Sequence, residues 1–421
     1  MSITLSQYTI KPIGKDNDSG NTNLHIPLIS DSIRIIDSRL LKNFKDQTFG
    51  GYKLAQASNA LDKALIEDKI EPALHWALQL FLSGIINPLW VKLISFACKS
   101  INIYNPKLPE FLYNKSLQWQ NIVDNVKFAK DNILFLRNHS GVRLLLAEMI
   151  TVLCLSKKRK INLLPRIKKE EFIIDNFKAK LEAKDNSLTE SLYVDGDPSE
   201  IRIAINEMAY HIYNGNLNKA LYWLNWIIEW EKINSKKYGK YECGVRPIEG
   251  IDGKYFKDVV WLFWSIINKI RQVKFAIYGN DINNQIICLQ KMYINKFTPA
   301  ARCKKNNFII WAILYITETI DNATPLIDRP QILFQSMLGF DKVVASLKSQ
   351  EVHSVKNLLN VVVENNYMIP QQHNELEDYK LRTLKAKAKF EKEQLAKQKK
   401  ININSMDKLN EIHKLDRMMY S

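Results

Sequence analysis

The chain has 421 residues, of which 46% are apolar and 10% aromatic, enough for the packed cores of two or three domains. Its 60 lysine and arginine residues exceed its 44 aspartate and glutamate residues, so the formal net charge is +16 and polyanions are the favoured partners: DNA, RNA or an anionic membrane surface. The five cysteines are scattered and never spaced as C-x-x-C, which argues against a zinc site and a disulfide framework.

The apolar runs of the sequence are too short for a membrane span. The longest, Phe308 to Ile316, falls well below the roughly 18 residues that a span needs, and it predicts a buried helix instead. The first 20 residues lack the apolar core of a signal peptide. We therefore expect a soluble, intracellular protein without a membrane partner.

The periodicity of the sequence changes along the chain. Residues 1–30 contain many Gly, Asn, Asp and Ser residues without periodicity, which predicts a flexible N-terminal segment. From Asp31 onward, long apolar-periodic stretches are separated by short Asn, Gly or Pro breaks, and strict apolar–polar alternation is nearly absent. This pattern predicts an all-α fold.

The stretch DGDPSE predicts the start of a helix in the middle of the chain. Asp197 is expected to be its N-cap, with Pro198 as its first residue and Glu200 as the third-position partner of a capping box. The alternative is a metal-binding pair formed by Asp195 and Asp197.

A short motif occurs twice: Ala-Leu-His-Trp at 73–76 corresponds to Ala-Leu-Tyr-Trp at 220–223, at an offset of 147 residues. Matching segments follow in the same order, so we predict a tandem duplication; the alternative is that unrelated amphipathic helices look alike. The alanine and the tryptophan of each motif share a helix face, so Trp76 and Trp223 are predicted packing residues. The two predicted helical units are residues 31–175 and 195–365.

The residues after the first motif are more specific. Gly84, Asn87-Pro88 and the segment FACKSINIYNP from Phe96 to Pro106 follow it. In this order the first copy resembles the C-terminal helical domain of the replication-associated recombination ATPases, relatives of clamp-loader subunits. That domain has an Ala-Leu-Tyr-Trp helix, a glycine, an Asp-Pro turn and a Phe-Ala-Ser-Glu-Asp-Ile-Gly-Leu-Ala-Asp-Pro segment. The resemblance covers about 60 residues, and it departs at Lys99-Ser100, where the family has Glu-Asp, and at Asn102, where it has glycine.

In that family the helical domain is a collar that holds subunits together, and a separate domain binds the nucleotide. The resemblance therefore implies a clamp-loader-like scaffold of two collar-like units. No G-x-x-x-x-G-K-[ST] phosphate loop occurs in the sequence, and neither do the motifs H-E-x-x-H and G-x-S-x-G. We expect a protein that is not an enzyme and that needs no cofactor or metal.

Seven basic residues follow the apolar helix predicted at Val142–Leu155. Cations at a helix C-terminus are favourable in themselves, but seven exceed that need, so a phosphate-facing patch or a nuclear-import signal is the other interpretation. In the second copy, Arg302, Lys304 and Lys305 precede the matching helix. The seven candidate nucleic-acid-binding residues are Lys157, Lys158, Arg159, Lys160, Arg166, Lys168 and Lys169.

Beyond Glu375 the sequence is charged and poor in aromatic residues, and 375–421 are predicted to form a basic helical tail. From Tyr379 the tail has twelve basic and five acidic residues, a net charge of +7. It is either a solvated helix or an arm that binds nucleic acid or a partner protein. The candidate binding residues of the tail are Lys385, Lys387, Lys389, Lys397, Lys399 and Lys400.

Together these features favour a non-enzymatic accessory protein of DNA replication or repair that binds DNA without sequence specificity, and that binds replication proteins or further copies of itself. The alternative is a structural or assembly protein of a viral particle. The abundance of Lys, Asn and Ile is typical of AT-rich genomes, which include many large DNA viruses and some protists. For a viral protein the expected location is the host nucleus or a cytoplasmic viral factory.

Overall fold

The structure is a computed structural model, and the part of the chain that it describes is all-α, as the sequence predicts. The described residues are 41–126, 132–159 and 164–349. Within them there is no β-strand, and Gln47 and Lys53 form an isolated antiparallel bridge. The α-helices are α1 (Leu54–Ile66), α2 (Ile70–Leu82), α3 (Ile86–Phe96), α4 (Leu108–Val126), α5 (Asn132–Asn138), α6 (Ser140–Leu155), α7 (Ile174–Lys178), α8 (Arg202–Tyr213), α9 (Leu217–Tyr238), α10 (Val260–Val273), α11 (Phe275–Ile294), α12 (Pro299–Thr317) and α13 (Pro330–Ser349).

Contacts divide the chain into two compact units, residues 1–351 and 352–421, and all described residues belong to the first. The predicted N-terminal segment, residues 1–30, and the predicted tail, residues 375–421, lie outside the described residues. No helix of the described part has the combination of length and apolarity that crossing a membrane requires.

Two helices, α6 and α12, are each surrounded by other helices. Twelve of the sixteen residues of α6 are buried, and α6 contacts α1, α2, α3, α4 and α13. The second helix, α12, contacts α8, α9, α10 and α11, and its run Phe308–Ile316 is buried throughout. A helix that is apolar on all sides is stable in water only when other elements cover it on all sides. The predicted buried helix is therefore confirmed.

The hairpins α1–α2 and α8–α9 have the same turn geometry. Their second helices begin 147 residues apart, which is the offset of the repeated motif. In the first turn the amide of Lys69 donates to the carbonyl of Ala64 at 3.0 Å, and in the second the amide of Asn216 donates to the carbonyl of His211 at 2.8 Å. Each hydrogen bond satisfies one of the carbonyls that a helix end leaves unpaired. The likeness extends over one hairpin, and the duplication of the whole units stays a prediction.

The helices packed around α6 form a first set and those packed around α12 form a second set, and the two sets pack against each other within the compact unit. Helix α4 contacts α11, where the amide of Glu110 donates to Oε1 of Gln285 at 2.9 Å and Nε2 of Gln285 donates to Oε2 of Glu110 at 3.2 Å. The hydroxyl of Tyr315 on α12 donates to the carbonyl of Pro106 at 2.7 Å, and both residues are far from solvent at this point. These contacts fix the helices that surround the cleft described below.

The predicted N-cap at Asp197 is wrong. The side chain of Asp197 makes no cap to a helix, and α8 begins only at Arg202, after a 3-10 turn at Ser199–Ile201. Its carboxylate instead receives both terminal nitrogens of Arg246, at 2.7 and 2.6 Å, and the backbone amide of Gly244 at 2.9 Å. The charge-assisted, bidentate hydrogen bonds from arginine are stronger than the hydrogen bonds of a helix cap.

Candidate functional site

A cleft of about 1250 Å³ lies between the two sets of helices. Helices α3 and α4 contribute residues from the first set, and α9, the end of α11 and the first half of α12 contribute residues from the second. Pockets for small molecules typically enclose about 300–1000 Å³, so this cleft has room for a larger, extended ligand.

The first set of helices contributes an apolar floor and a polar turn. Trp90 on α3 and Trp119 on α4 stack face to face, with ring centroids 4.9 Å apart and an angle of 9° between the planes. A π-helical turn, Ala97–Ile101, follows α3 and brings Lys99 and Ser100 to the cleft. The wider turn rotates these side chains away from the directions that a regular α-helix would give them.

The π-helical turn ends at Asn102, whose backbone has a positive φ of 45° with ψ −128°. A positive φ favours glycine, because a side chain is crowded there. Here the buried side chain holds the turn: its Oδ1 accepts from the amide of Ile103 at 2.7 Å, and its Nδ2 donates to the carbonyl of Arg159 at 3.2 Å. These two hydrogen bonds fix the amide of Asn102 at the end of the turn.

The second set of helices contributes the facing wall. Asn225, Ile228 and Lys232 are spaced three and four residues apart, so they lie on one face of α9. The segment Cys303–Phe308 of α12 lines the cleft without a break. Asn225 also binds the linker after α6, because its Nδ2 donates to the carbonyl of Pro165 at 2.8 Å. The linker therefore passes beside this wall.

The charge of the lining has one sign. Among the described residues that line the cleft there are six lysines and neither aspartate nor glutamate. Such a concave, positive surface attracts anions, because the potentials of the six ammonium groups add. The six lysines are Lys99, Lys158, Lys232, Lys296, Lys304 and Lys305.

Two of these lysines are half-buried, and their ammonium groups donate hydrogen bonds to backbone carbonyls. The ammonium of Lys158 donates to the carbonyl of Cys154 at 2.5 Å and pairs with the carboxylate of Asp68. That of Lys305 donates to carbonyls at the end of α11, including Tyr293 at 2.8 Å. Burial lowers the pKa of both lysines to about 8, because the charged form loses solvation.

The other four lysines are exposed at the cleft. Lys232 pairs with Glu229, Nζ to Oε1 at 2.7 Å. In the part of the chain that the structure describes, Lys99, Lys296 and Lys304 have no carboxylate within ion-pair distance. These three ammonium groups are the cations best able to contact an anion that enters the cleft.

The seven basic residues predicted after α6 do not all lie in the same environment. Of the six that the structure describes, Lys158 alone lines the cleft; Lys160 and the six tail lysines lie outside the described residues. The guanidinium of Arg159 lies over the ring of Tyr104, 5.4 Å from its centroid, and the amide of Arg159 donates to the carbonyl of Ser100 at 2.7 Å. The exposed members of the cluster are Lys157, Arg159, Arg166, Lys168 and Lys169.

The two predicted packing tryptophans differ in burial. Trp223 is 1% exposed and contacts the ring of Phe177 edge to face, with centroids 5.4 Å apart. Trp76 is half-buried and meets Tyr52 edge to face at 5.0 Å. The equivalent positions in the two hairpins therefore have unequal packing.

Arg302 precedes Lys304 and Lys305 in the sequence, but it has a different role. Its guanidinium donates to Oε1 of Glu231 at 2.7 Å and to Oδ1 of Asp258 at 2.8 Å. All three side chains are largely buried. Arg302 therefore neutralises two acids of the protein and is not available to a ligand.

Sequence reasoning missed Lys99, Lys232 and Lys296 as site residues. Each is a single lysine in a different segment, so no local cluster marks it. The one available signal was Lys99, where the resembling family has an acid. The three come together only because α3, α9 and α11 meet at the cleft.

No protein-family model, curated protein sequence or solved structure matches this chain significantly. The described residues also contain no group of three or more His, Cys, Asp or Glu side chains arranged to hold a metal ion. The geometry and charge of the cleft are therefore the features of the molecule that indicate a function.

Proposed function

We propose that this protein is a non-enzymatic scaffold that binds nucleic acid and acts as an accessory factor in DNA replication or repair. The observation that carries the proposal is the cleft itself: six lysines and no carboxylate among its described lining residues. Sequence-independent binding of nucleic acid comes from contacts of this kind between ammonium groups and phosphates.

The exposed lysines after α6 support the same function. Lys157 and Lys168 are exposed on the linker that begins beside Lys158 and passes Asn225 at the cleft wall. A strand that leaves the cleft along this linker would meet further cations. The role in replication or repair is supported by the resemblance of the segment from Ala73 to Pro106 to the collar domain of recombination ATPases.

Salt dependence tests the binding. If about six phosphates are neutralised, raising salt from 50 to 200 mM weakens binding of duplex DNA roughly a thousandfold, because each contact releases bound counterions. We would measure this with the full-length chain and a fluorescent DNA by anisotropy. Binding that does not respond to salt would contradict the proposal.

Two triple variants distinguish the effect of the cleft lysines on binding from the effect of the net charge of the protein. Replacing Lys99, Lys296 and Lys304 by glutamine is expected to make the plot of log affinity against log salt concentration shallower, by the amount that about three phosphate contacts contribute. The matched control replaces three exposed lysines outside the cleft, each paired with an acid, and changes the net charge equally. The control lysines are Lys63, Lys240 and Lys254. Equal losses in both variants would show that the cleft has no special part in binding.

Affinity purification tests the cellular role. Recovery of a polymerase, a sliding clamp or a single-strand-binding protein with the full-length chain supports the accessory function. Tight association with particles, without any effect on DNA synthesis, would favour the assembly protein instead.

A further inference from the structure

Besides its lysines, the cleft is lined by residues that have uncharged polar atoms without a hydrogen-bond partner in the described part of the chain. Ser116 on α4 is 9% exposed, and its Oγ has no hydrogen-bond partner among the described residues. Across the cleft on α12, Oδ1 of Asn306 is likewise buried without a partner. A buried polar atom without a hydrogen bond is destabilising, so a ligand that supplies a partner to either atom gains affinity from it.

The kind of partner follows from the two atoms. Oδ1 of Asn306 can only accept a hydrogen bond, and the hydroxyl of Ser116 can donate and accept. A phosphate group offers acceptors only, so it cannot satisfy Asn306. The Watson–Crick edge of a nucleobase carries N–H donors beside carbonyl acceptors, and it can satisfy both.

The rest of the inner lining is suited to a flat, apolar group. The stacked indoles of Trp90 and Trp119 and the side chain of Phe308 lie among aliphatic residues of α3, α9 and α12. The exposed edges of these rings and the aliphatic residues form an apolar surface that can cover a base of any kind. A bare polyphosphate would gain nothing from these surfaces.

A double helix cannot use this interior. Its bases are paired, and their Watson–Crick edges are not accessible from the grooves. An unpaired strand presents the base edge and the phosphate on the same nucleotide. The cleft matches that arrangement, with ammonium groups at Lys99, Lys296 and Lys304 and unsatisfied polar atoms at Ser116 and Asn306.

We propose that the cleft binds a short single-stranded stretch of nucleic acid, with its phosphates on the exposed lysines and a base hydrogen-bonded to Ser116 and Asn306. This inference rests on the proposed function and narrows it from nucleic acid in general to unpaired strands. DNA and RNA share the chemistry used here, and the experiment below distinguishes them.

The chain contains its own reporter for the bound strand. Cys303 lines the cleft and is the exposed cysteine of the five, whereas the other four are buried. A short oligothymidylate is expected to slow the alkylation of Cys303 by a maleimide in the full-length protein. Oligouridylate tests RNA in the same way, and a blunt duplex of equal length is expected to protect Cys303 poorly.

The variant Ser116→Ala tests the base contact. It is expected to weaken binding of the single strand about threefold to tenfold, the value of one hydrogen bond, while competition by inorganic polyphosphate stays unchanged. The control is Ser265→Ala, which removes a hydroxyl that donates to the carbonyl of Trp261 on α10, away from the cleft. Thermal unfolding of both variants verifies that they fold.

The outcomes separate the two proposals. If duplex and single strand bind and protect Cys303 equally, or if Ser116→Ala behaves as Ser265→Ala does, the inference about unpaired strands is wrong and the nucleic-acid function stands. If neither single-stranded nor duplex nucleic acid binds at any salt concentration, the proposed function itself is wrong.

Discussion

Asp68 and Gly215 occupy the same place in two helix hairpins and have the same left-handed backbone, with φ of 59° and 72°. Each is the middle residue of the turn that joins the two helices, and their numbers differ by the 147 residues of the sequence repeat. Glycine adopts this conformation without strain, whereas aspartate adopts it at a cost; the carboxylate of Asp68 pairs with Lys158.

The left-handed turn predicts a loss of stability for Gly215→Ala. A Cβ at this position is strained by about 1–2 kcal/mol, and it would lie 3.5 Å from the carbonyl oxygen of Thr317. The matched variant is Gly339→Ala, in the exposed part of α13, where a Cβ meets nothing within 4 Å. Because alanine favours a helix, this variant is expected to gain about 0.5–1 kcal/mol. Urea unfolding measures both, and shifts of the same sign would contradict the prediction.

The unequal burial of the two tryptophans predicts unequal costs of truncation. Trp223→Ala removes an indole that is 1% exposed and is expected to cost about 3–5 kcal/mol. Trp76→Ala removes a half-buried indole, so less apolar surface is lost and the cost is expected to be about half as large. Denaturant unfolding of the two variants checks this, and equal losses would show that Trp76 is packed as fully as Trp223.

The buried cluster of Arg302, Glu231 and Asp258 predicts a large loss for Arg302→Met. Removing the cation leaves two buried carboxylates without their counter-charge, at a cost of about 3–5 kcal/mol near neutral pH. Arg202→Met is the control, because Arg202 is exposed and, among the described residues, its guanidinium lies over the ring of Tyr193 and not beside an acid. A loss in the control as large as that in Arg302→Met would mean that packing of the arginine stem, and not its charge, is responsible.

The same variant has a defined pH dependence. Burial raises the pKa of Glu231, and Arg302 opposes this rise, so the pKa is expected to rise further in Arg302→Met. When the pKa of a carboxyl is higher in the folded protein than in the unfolded chain, its protonation stabilises the fold at pH values below the pKa of the unfolded chain. This contribution is lost as pH rises through the pKa of the folded protein. The free energy of unfolding of Arg302→Met should therefore increase as pH falls from neutral toward the pKa that Glu231 has in the unfolded chain. Constant destabilisation across this window would contradict the assignment.

The half-buried lysines of the cleft predict that nucleic-acid binding weakens in mild alkali. Burial lowers the pKa of Lys158 and Lys305 to about 8, so both lose charge as pH rises through that value. Binding is expected to weaken about fivefold for each lysine, the value of one ion pair in water. Lys305→Arg keeps its charge and should flatten the dependence. Anisotropy at constant ionic strength measures it, and an unchanged profile in this variant would exclude Lys305 as a contact.

Protein stability should change in the opposite direction over the same pH range. The folded state loses these protons at about pH 8, whereas an unfolded lysine keeps its proton up to its ordinary value of 10.5. The cost of burying charge is therefore relieved as pH rises between these values, and the free energy of unfolding increases. Thermal unfolding across this range distinguishes a direct loss of binding from a loss of the fold.

The sequence predicted the all-α fold class correctly because helical periodicity is local. The buried helix at Phe308–Ile316 and the hairpin repeat at 147 residues could be found without coordinates, since both depend on residues close together in the chain. The N-cap at Asp197 was predicted wrongly for the opposite reason. Its partner, Arg246, is 49 residues away, and a distant arginine that binds a carboxylate with two nitrogens outweighs a local cap.

By itself the sequence determined the all-α fold class and the excess of positive charge, because composition and periodicity can be read without knowing distant contacts. Only the tertiary structure decided which cations act together. It placed Lys99, Lys232 and Lys296 around one cleft and enclosed Arg302 with two acids. The physical reason is that electrostatic potential depends on distances in space, and these distances are set by the packing of helices far apart in the chain.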